Sequence, residues 1–331
     1  MARFLLVGGA GFIGSHLAHR LVERGEDVTV LDAGEDYGRT APARRREIVD
    51  WRHRELLCDV PVLHGDTRDL PRLREIAGAV EPTHIVHLAN LPLSDLAALE
   101  PAIARANIVD GTVNVLHAAA GLPRPPALTY VSSSMVYGDF DREPMPEHAP
   151  ERAHCTYGRL KLAAERALAT RAQAAHVPLT IVRPSAVYGP GDVNGRFLQR
   201  LVDAAVQGSP FVLRTTPEAR LDFTSVHDVA AGLEAAALAR EACGSVYNIT
   251  AGKAHSLRAA IAAVRFHAPR LDVVDGPPSA VRRPRRGTLD IGRAQRELGW
   301  APRWTLQAGL GAYVAFADTL ATHAPVPDAT R

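Results

Sequence analysis

RFLLVGGAGFIGSHLAHRLVERGEDVTVLD, residues Arg3 to Asp32, is the stretch that decides the fold. RFLLV is a short, nearly continuous apolar run and reads as a parallel strand buried on both faces. Glycines follow at once. From Ser15 the apolar residues recur at helical spacing until Gly25, and DVTVLD is a second strand. Gly8, Gly11 and Gly14 therefore sit at a strand-to-helix turn. Without a Cβ they permit a tight turn and close approach of a pyrophosphate to the backbone. The helix start adds unpaired N–H groups and a positive dipole end. Asp32 closes the second strand about 20 residues on, where a carboxylate accepts ribose hydroxyls and repels a 2′-phosphate, so the pattern favours NAD over NADP.

The same alternation continues outward. PVLHGD, THIVHLAN, ALTYVSSSMVYG and LTIVRPSAVYG read as the third to sixth strands. The segments LPRLREIAGAV, EPAIARANIVDGTVNVLHAAAG and CTYGRLKLAAERALATRAQAAH read as the helices between them. Strands alternating with helices predict an α/β chain with a doubly wound parallel sheet. After Pro190 the regularity falls off, which predicts a smaller, mainly C-terminal lobe. The expected division is residues 1–190 for the dinucleotide half, also receiving roughly 220–250, and 191–331 for an interleaved substrate lobe.

Composition removes several function classes. Lysine plus arginine is 38 against 36 acidic residues, a formal net charge of +2, which argues against general nucleic-acid or membrane-surface binding. No stretch approaches bilayer-spanning length. Cys58, Cys155 and Cys243 form no CxxC pair, which suits a reducing cytoplasm and speaks against a zinc site. The histidines lack metal spacing, and His227 reads as a helix-start residue.

CTYGRLKLAAE, from Cys155 to Glu165, puts Tyr157 and Lys161 one helical turn apart on one face. An ammonium there is expected to favour the phenolate and to bind ribose hydroxyls. Glu165 reads as a helix-face ion partner. SSSMVYG, from Ser132, follows the fifth strand at its C-terminal end, where open parallel sheets bind ligands.

GGAGFIG, HGD, HLAN, SSSMVYG, YGRLK, RPSAVYGP and LGWAP occur in this order along nearly the whole chain. Together they resemble the extended short-chain dehydrogenase/reductase family, in its NAD-dependent nucleotide-sugar epimerase/dehydratase branch. The resemblance implies a Rossmann-type NAD domain and a lobe that binds a nucleotide-diphosphate sugar. It implies Tyr157 as base, Lys161 on the nicotinamide ribose and Ser133 assisting proton transfer. It further implies Phe12, Ile13, Asp66, Thr67, Leu88, Ala89, Asn107 and Pro184, together with Tyr157 and Lys161, at the cofactor.

Dehydratases of this kind carry Thr-Asp-Glu where Ser133, Ser134 and Met135 stand, and the sugar-acid decarboxylases carry glutamate at Met135. Serine and methionine supply neither the acid nor the base of an elimination. An epimerase, most simply at C4, is the reading that remains. Its alternatives are a dehydrogenase or ketoreductase on a similar sugar and, from another class, a non-catalytic NAD-sensing or RNA-binding relative. Ala186 and Leu221 replace residues common in UDP-hexose epimerases. Arg196, Arg220 or Arg286, with Ser133 and Ser134, are the candidates to hold the substrate, because a planar guanidinium fork suits a diphosphate. The family habit of pairing subunits through two helices each implies a homodimer through helices near 102–120 and 155–175.

Overall fold

The computed structural model describes residues 1–92, 94–239, 242–278 and 284–322. In chain order the strands are β1 (Arg3–Val7), β2 (Asp27–Asp32), β3 (Val62–His64), β4 (His84–His87), β5 (Ala127–Val131), β6 (Leu179–Pro184), β7 (Ala186–Tyr188), β8 (Phe211–Leu213), β9 (Arg220–Leu221), β10 (Phe223–Ser225), β11 (Val246–Ile249), β12 (His255–Ser256) and β13 (Val273–Asp275). The α-helices are α1 (Phe12–Glu23), α2 (Pro42–Trp51), α3 (Leu70–Val80), α4 (Ser94–Leu99), α5 (Pro101–Arg105), α6 (Gly111–Ala120), α7 (Thr156–Ala174), α8 (Phe197–Gln207), α9 (Val226–Leu238), α10 (Leu257–His267), α11 (Gly292–Leu298) and α12 (Leu306–Thr322).

Seven parallel strands form the Rossmann-type sheet, in the order β11-β6-β5-β4-β1-β2-β3. The chain starts at β1 and winds first one way and then the other, so the order reverses between β1 and β4. A crevice opens there, beyond the carboxyl ends of the strands. Alternation along β1 divides the core. Phe4 and Leu6 pack with Leu17, Leu21, Val229 and Leu233 of α1 and α9 on one face. Leu5 and Val7 pack with Leu73, Ile76, Leu116 and Leu168 of α3, α6 and α7 on the other. Truncating a leucine buried on both sides in this way costs about 2–5 kcal/mol.

The smaller lobe has a separate core. Helices α8, α10 and α12 enclose Leu201, Val202, Ile261, Val264 and Leu310, and the short parallel pair β8–β13 borders them. RPSAVYG, expected as one strand, divides: β6 stays in the central sheet, while β7 pairs with β10. Pro184 lacks an N–H to extend a ladder, and Ser185 lies outside both strands. After α9 the chain returns as β11 to the edge of the central sheet, beside β6.

Candidate active site

The site is built at the crevice. Gly8 has φ +82, and a Cβ there would lie 2.4 Å from the backbone nitrogen of Ala89. The end of β1 thus touches the segment after β4, which only glycine allows. At Gly14 a Cβ would meet the Gly8 carbonyl at 2.6 Å, so α1 packs directly on the turn. Gly11 caps α1 with no side-chain bond, leaving the first helical N–H groups for an anion. Asp32 accepts Ala10 N at 3.0 Å and Gly34 N at 2.8 Å, one on each oxygen. Its remaining lone pairs are available to a ribose. This cradle fits a dinucleotide pyrophosphate and adenosine ribose.

One cavity of about 2060 Å³ runs from this cradle into the lobe. That is roughly twice a large single-ligand pocket, enough for two ligands end to end. Gly8, Gly11, Phe12, Ile13, Gly14 and Asp32 line its first part, followed by Asp66, Thr67, Leu88, Ala89, Asn107 and Pro184. Asn107 reaches it from a wider π turn, Ala106–Asp110, that interrupts the helical run between α5 and α6. Asp66 is gripped by the Arg68 side chain and backbone, which holds its carboxyl below the usual range.

Ser133, Ser134, Tyr157, Arg196, Arg220 and Arg286 line the far part. Ser133 caps a 3₁₀ turn, and its Oγ accepts Met135 N at 3.2 Å, which leaves the hydroxyl proton to donate. Lys161 does not line the cavity. It is buried under Tyr157, with Nζ donating to the Val131 carbonyl at 2.8 Å and lying 6.0 Å from the Tyr157 ring centre.

This geometry changes the expected electrostatics of the pair. Burial pushes Tyr157 up to about 12, opposed by the Arg196 guanidinium and by a hydrogen bond with Ser133. The ring is only half-buried and opens onto the cavity, so the push is weaker than in a closed core. Lys161 is itself lowered to about 7, again by burial, with Glu165 acting in the opposite direction. The lowering of the phenol expected from the Tyr157–Lys161 spacing is therefore not delivered by the lysine: its charge is disfavoured by its surroundings and is turned toward a main-chain carbonyl. The downward pull on Tyr157 comes from Arg196, across the cavity.

The arginines differ among themselves. Arg286 donates to Met135 Sδ at 2.7 Å and to Ser134 Oγ, and its guanidinium lies 5.0 Å over the Phe140 ring. Its Nε is buried without a partner. Burial lowers it to about 10, with Asp222 acting in the opposite direction. Arg196 donates to the Pro92 carbonyl at 3.4 Å. Arg220 is half exposed and paired with Glu143 at 2.9 Å. Arg282 and Arg283 of the same basic run lie outside the described residues.

Glu165, expected as a helix-face ion partner, is buried, and its carboxylate is bound by Arg183 of β6. Sequence reading also missed Arg52. This buried arginine lines the cofactor end and donates to the Ala10 carbonyl of the glycine turn at 2.9 Å. An arginine in a basic helical run gives no local sign that it turns inward. No group of three or more candidate metal-ligating side chains occurs among the described residues, and no helix among them is long and apolar enough to cross a membrane.

Residues 4–250 match the profile of the NAD dependent epimerase/dehydratase family. UDP-glucuronate 4-epimerase 2 of Arabidopsis thaliana is 28% identical over 331 residues, covering 94% of this chain and 74% of its own. A UDP-N-acetyl-alpha-D-glucosaminuronate decarboxylase of Bacillus cytotoxicus is 30% identical over 257 residues, covering 75% of this chain and 74% of its own. Among solved structures, MoeE5 in complex with UDP-glucose and NAD superimposes with a TM-score of 0.82 at 28% identity, covering 96% of this chain and 98% of that one.

Proposed function

We infer the reaction from the premise that this chain belongs to the NAD dependent epimerase/dehydratase family: it is an NAD-dependent epimerase that inverts C4 of a nucleotide-diphosphate sugar. The observation that carries this reading is Ser133 and Tyr157 on one cavity wall, with Met135 beside them where an eliminating or decarboxylating relative needs a carboxyl group. When bound, NAD would supply reversible hydride acceptance at the sugar carbon. The chain's own part is to hold the sugar and manage one proton. Tyr157, as its phenolate, takes the proton of the C4 hydroxyl through Ser133; burial opposes that phenolate, and Arg196 and the Ser133 hydrogen bond favour it. The same phenol gives the proton back after the keto sugar turns over about its diphosphate tether.

Arg286 is the strongest candidate for that tether, since it is a buried guanidinium whose hydrogen-bond partners among the described residues are a hydroxyl and a thioether. Arg220, already paired with Glu143, is the more exposed second cation. Residues 1–190, with roughly 220–250, form the cofactor half in this reading, and the rest of 191–331 the sugar half.

Purified protein incubated with UDP-, GDP-, CDP-, ADP- and dTDP-sugars tests the reaction. NMR of UDP-glucose and UDP-glucuronate should show interconversion with their C4 epimers and no net build-up of reduced nicotinamide. A stoichiometric oxidised sugar would favour the dehydrogenase instead.

The finer assignments are a cytoplasmic homodimer. Exposed, unpaired Cys58 and Cys243 support a reducing compartment. Ile103, half exposed on α5 near α7, supports pairing of the 102–120 and 155–175 helices with those of a second copy. Light scattering of the full chain tests the dimer.

A further inference from the structure

Glu165 stands one turn beyond Lys161 on α7, yet it faces inward. Arg183 Nε donates to its Oε1 at 3.0 Å and Arg183 Nη2 to its Oε2 at 2.5 Å. Ser132 Oγ donates to Oε1 as well. All three residues are less than 5% exposed: 3% for Ser132, 4% for Glu165 and 2% for Arg183. Arg183 continues to Glu151 Oε1 at 2.6 Å and to the Glu147 carbonyl at 3.2 Å. Its guanidinium lies 4.9 Å over the Tyr137 ring, whose hydroxyl donates to Asn248 Oδ1 at 2.9 Å. The network thus joins the residue after β5, strands β6 and β11, and helix α7.

Two of its neighbours belong to the site. Ser133 follows Ser132 directly, and Lys161 donates to the carbonyl of Val131, the residue before Ser132. A two-pronged guanidinium–carboxylate pair in a dry interior has one good geometry, and leaving either member alone there is costly. We propose that Glu165, gripped by Arg183, is the positioning residue of this centre: it fixes the β5 end that carries Ser133 against the helix that carries Tyr157 and Lys161, and it places an anion one helical turn from the buried Lys161 ammonium. This rests on the roles proposed above for Ser133, Tyr157 and Lys161.

The groups around that ammonium act as follows. His87 of β4 is kept neutral by burial and by Lys161 itself. Tyr130 of β5, whose ring lies 4.8 Å from Nζ, is pushed well above its usual range. Tyr157 on the same helix is also raised, and Arg183 of β6 stays charged on Glu165. Glu165 is the charged neighbour that supports the lysine.

Lys161 and Lys253 are the two lysines of the sequence, so a chain labelled at lysine Cε gives two NMR signals, assigned with Lys253→Arg. Glu165→Gln keeps the shape and removes the charge. The Lys161 titration midpoint should fall by about one unit or more. The kcat should fall at least about tenfold with KM for the nucleotide sugar within about threefold. Glu165→Asp should restore the midpoint and part of kcat. A folded Glu165→Gln chain with an unmoved midpoint, or with unchanged kcat, overturns the proposal. Should Glu165→Gln fail to fold, Ser132→Ala cuts only the tie to β5, and unchanged kcat there overturns it equally. The titration needs no turnover, so a wild-type chain inert toward every sugar sinks the epimerase reading while the lysine midpoint still decides the role of Glu165.

Discussion

Arg286 donates hydrogen bonds to both the Ser134 hydroxyl and the Met135 thioether, bridging the C-terminal lobe to the loop after β5. A guanidinium held by two such weak acceptors, with Nε unpartnered, is poised to take a better one. Replacing it by methionine should raise KM for the nucleotide sugar by about 10- to 100-fold, the worth of one or two charge-assisted bonds, with a smaller change in kcat. Lysine should rescue only partly, because it lacks the planar fork. Steady-state kinetics at fixed ionic strength checks both variants.

Tyr157→Phe keeps the ring and removes the hydroxyl. The kcat should drop by about 10²- to 10⁴-fold, the usual weight of one general acid–base group. NAD content and thermal midpoint should stay near wild type, since the oxygen opens onto the cavity and not into the core. Cofactor loss on this substitution would assign Tyr157 to binding instead.

Gly8→Ala adds a methyl at φ +82, 2.4 Å from Ala89 N. The backbone there has no flexible end to yield. The variant should purify without bound NAD and lose about 2–4 kcal/mol of stability from backbone strain and overpacking together. Absorbance of the released cofactor and urea unfolding give the two readings.

Asp222 is fully buried, and burial raises its carboxyl from the usual 3.8 to about 6, against hydrogen bonds from Leu289 N and Thr250. A raised folded value means that the neutral form is the one the fold prefers. Its contribution is complete below pH 4 and is lost as pH climbs through 6. At pH 8 the ionised group costs about 2–3 kcal/mol. Asp222→Asn should therefore be more stable than wild type at pH 8 and indistinguishable below pH 4. Urea unfolding at the two pH values decides, and a less stable Asn variant at pH 8 would refute the assignment.

The sheet and the glycine turn were legible because their determinants are local. Runs such as RFLLV, the spacing of Gly8, Gly11 and Gly14, and Asp32 at a strand end each carry their meaning within a few residues. Tyr157 and Lys161 were legible as a pair for the same reason, but not their electrostatics. That depends on what the fold wraps around each: a carbonyl from β5 for the lysine and an arginine from the lobe for the tyrosine. Helical spacing relates Glu165 to Lys161 but gives no sign of Arg183, 18 residues away on β6, which binds its carboxylate. Arg52 was missed for want of any local mark that separates it from the basic residues before it.

The return of β11 to the side of β6 has a consequence for how the two halves are joined. The polypeptide crosses from sheet to lobe, back to the sheet and out again, so the two halves are laced together, not hung on a single tether. A fragment ending at residue 190 would leave the outer rim of β6 bare and inclined to self-associate.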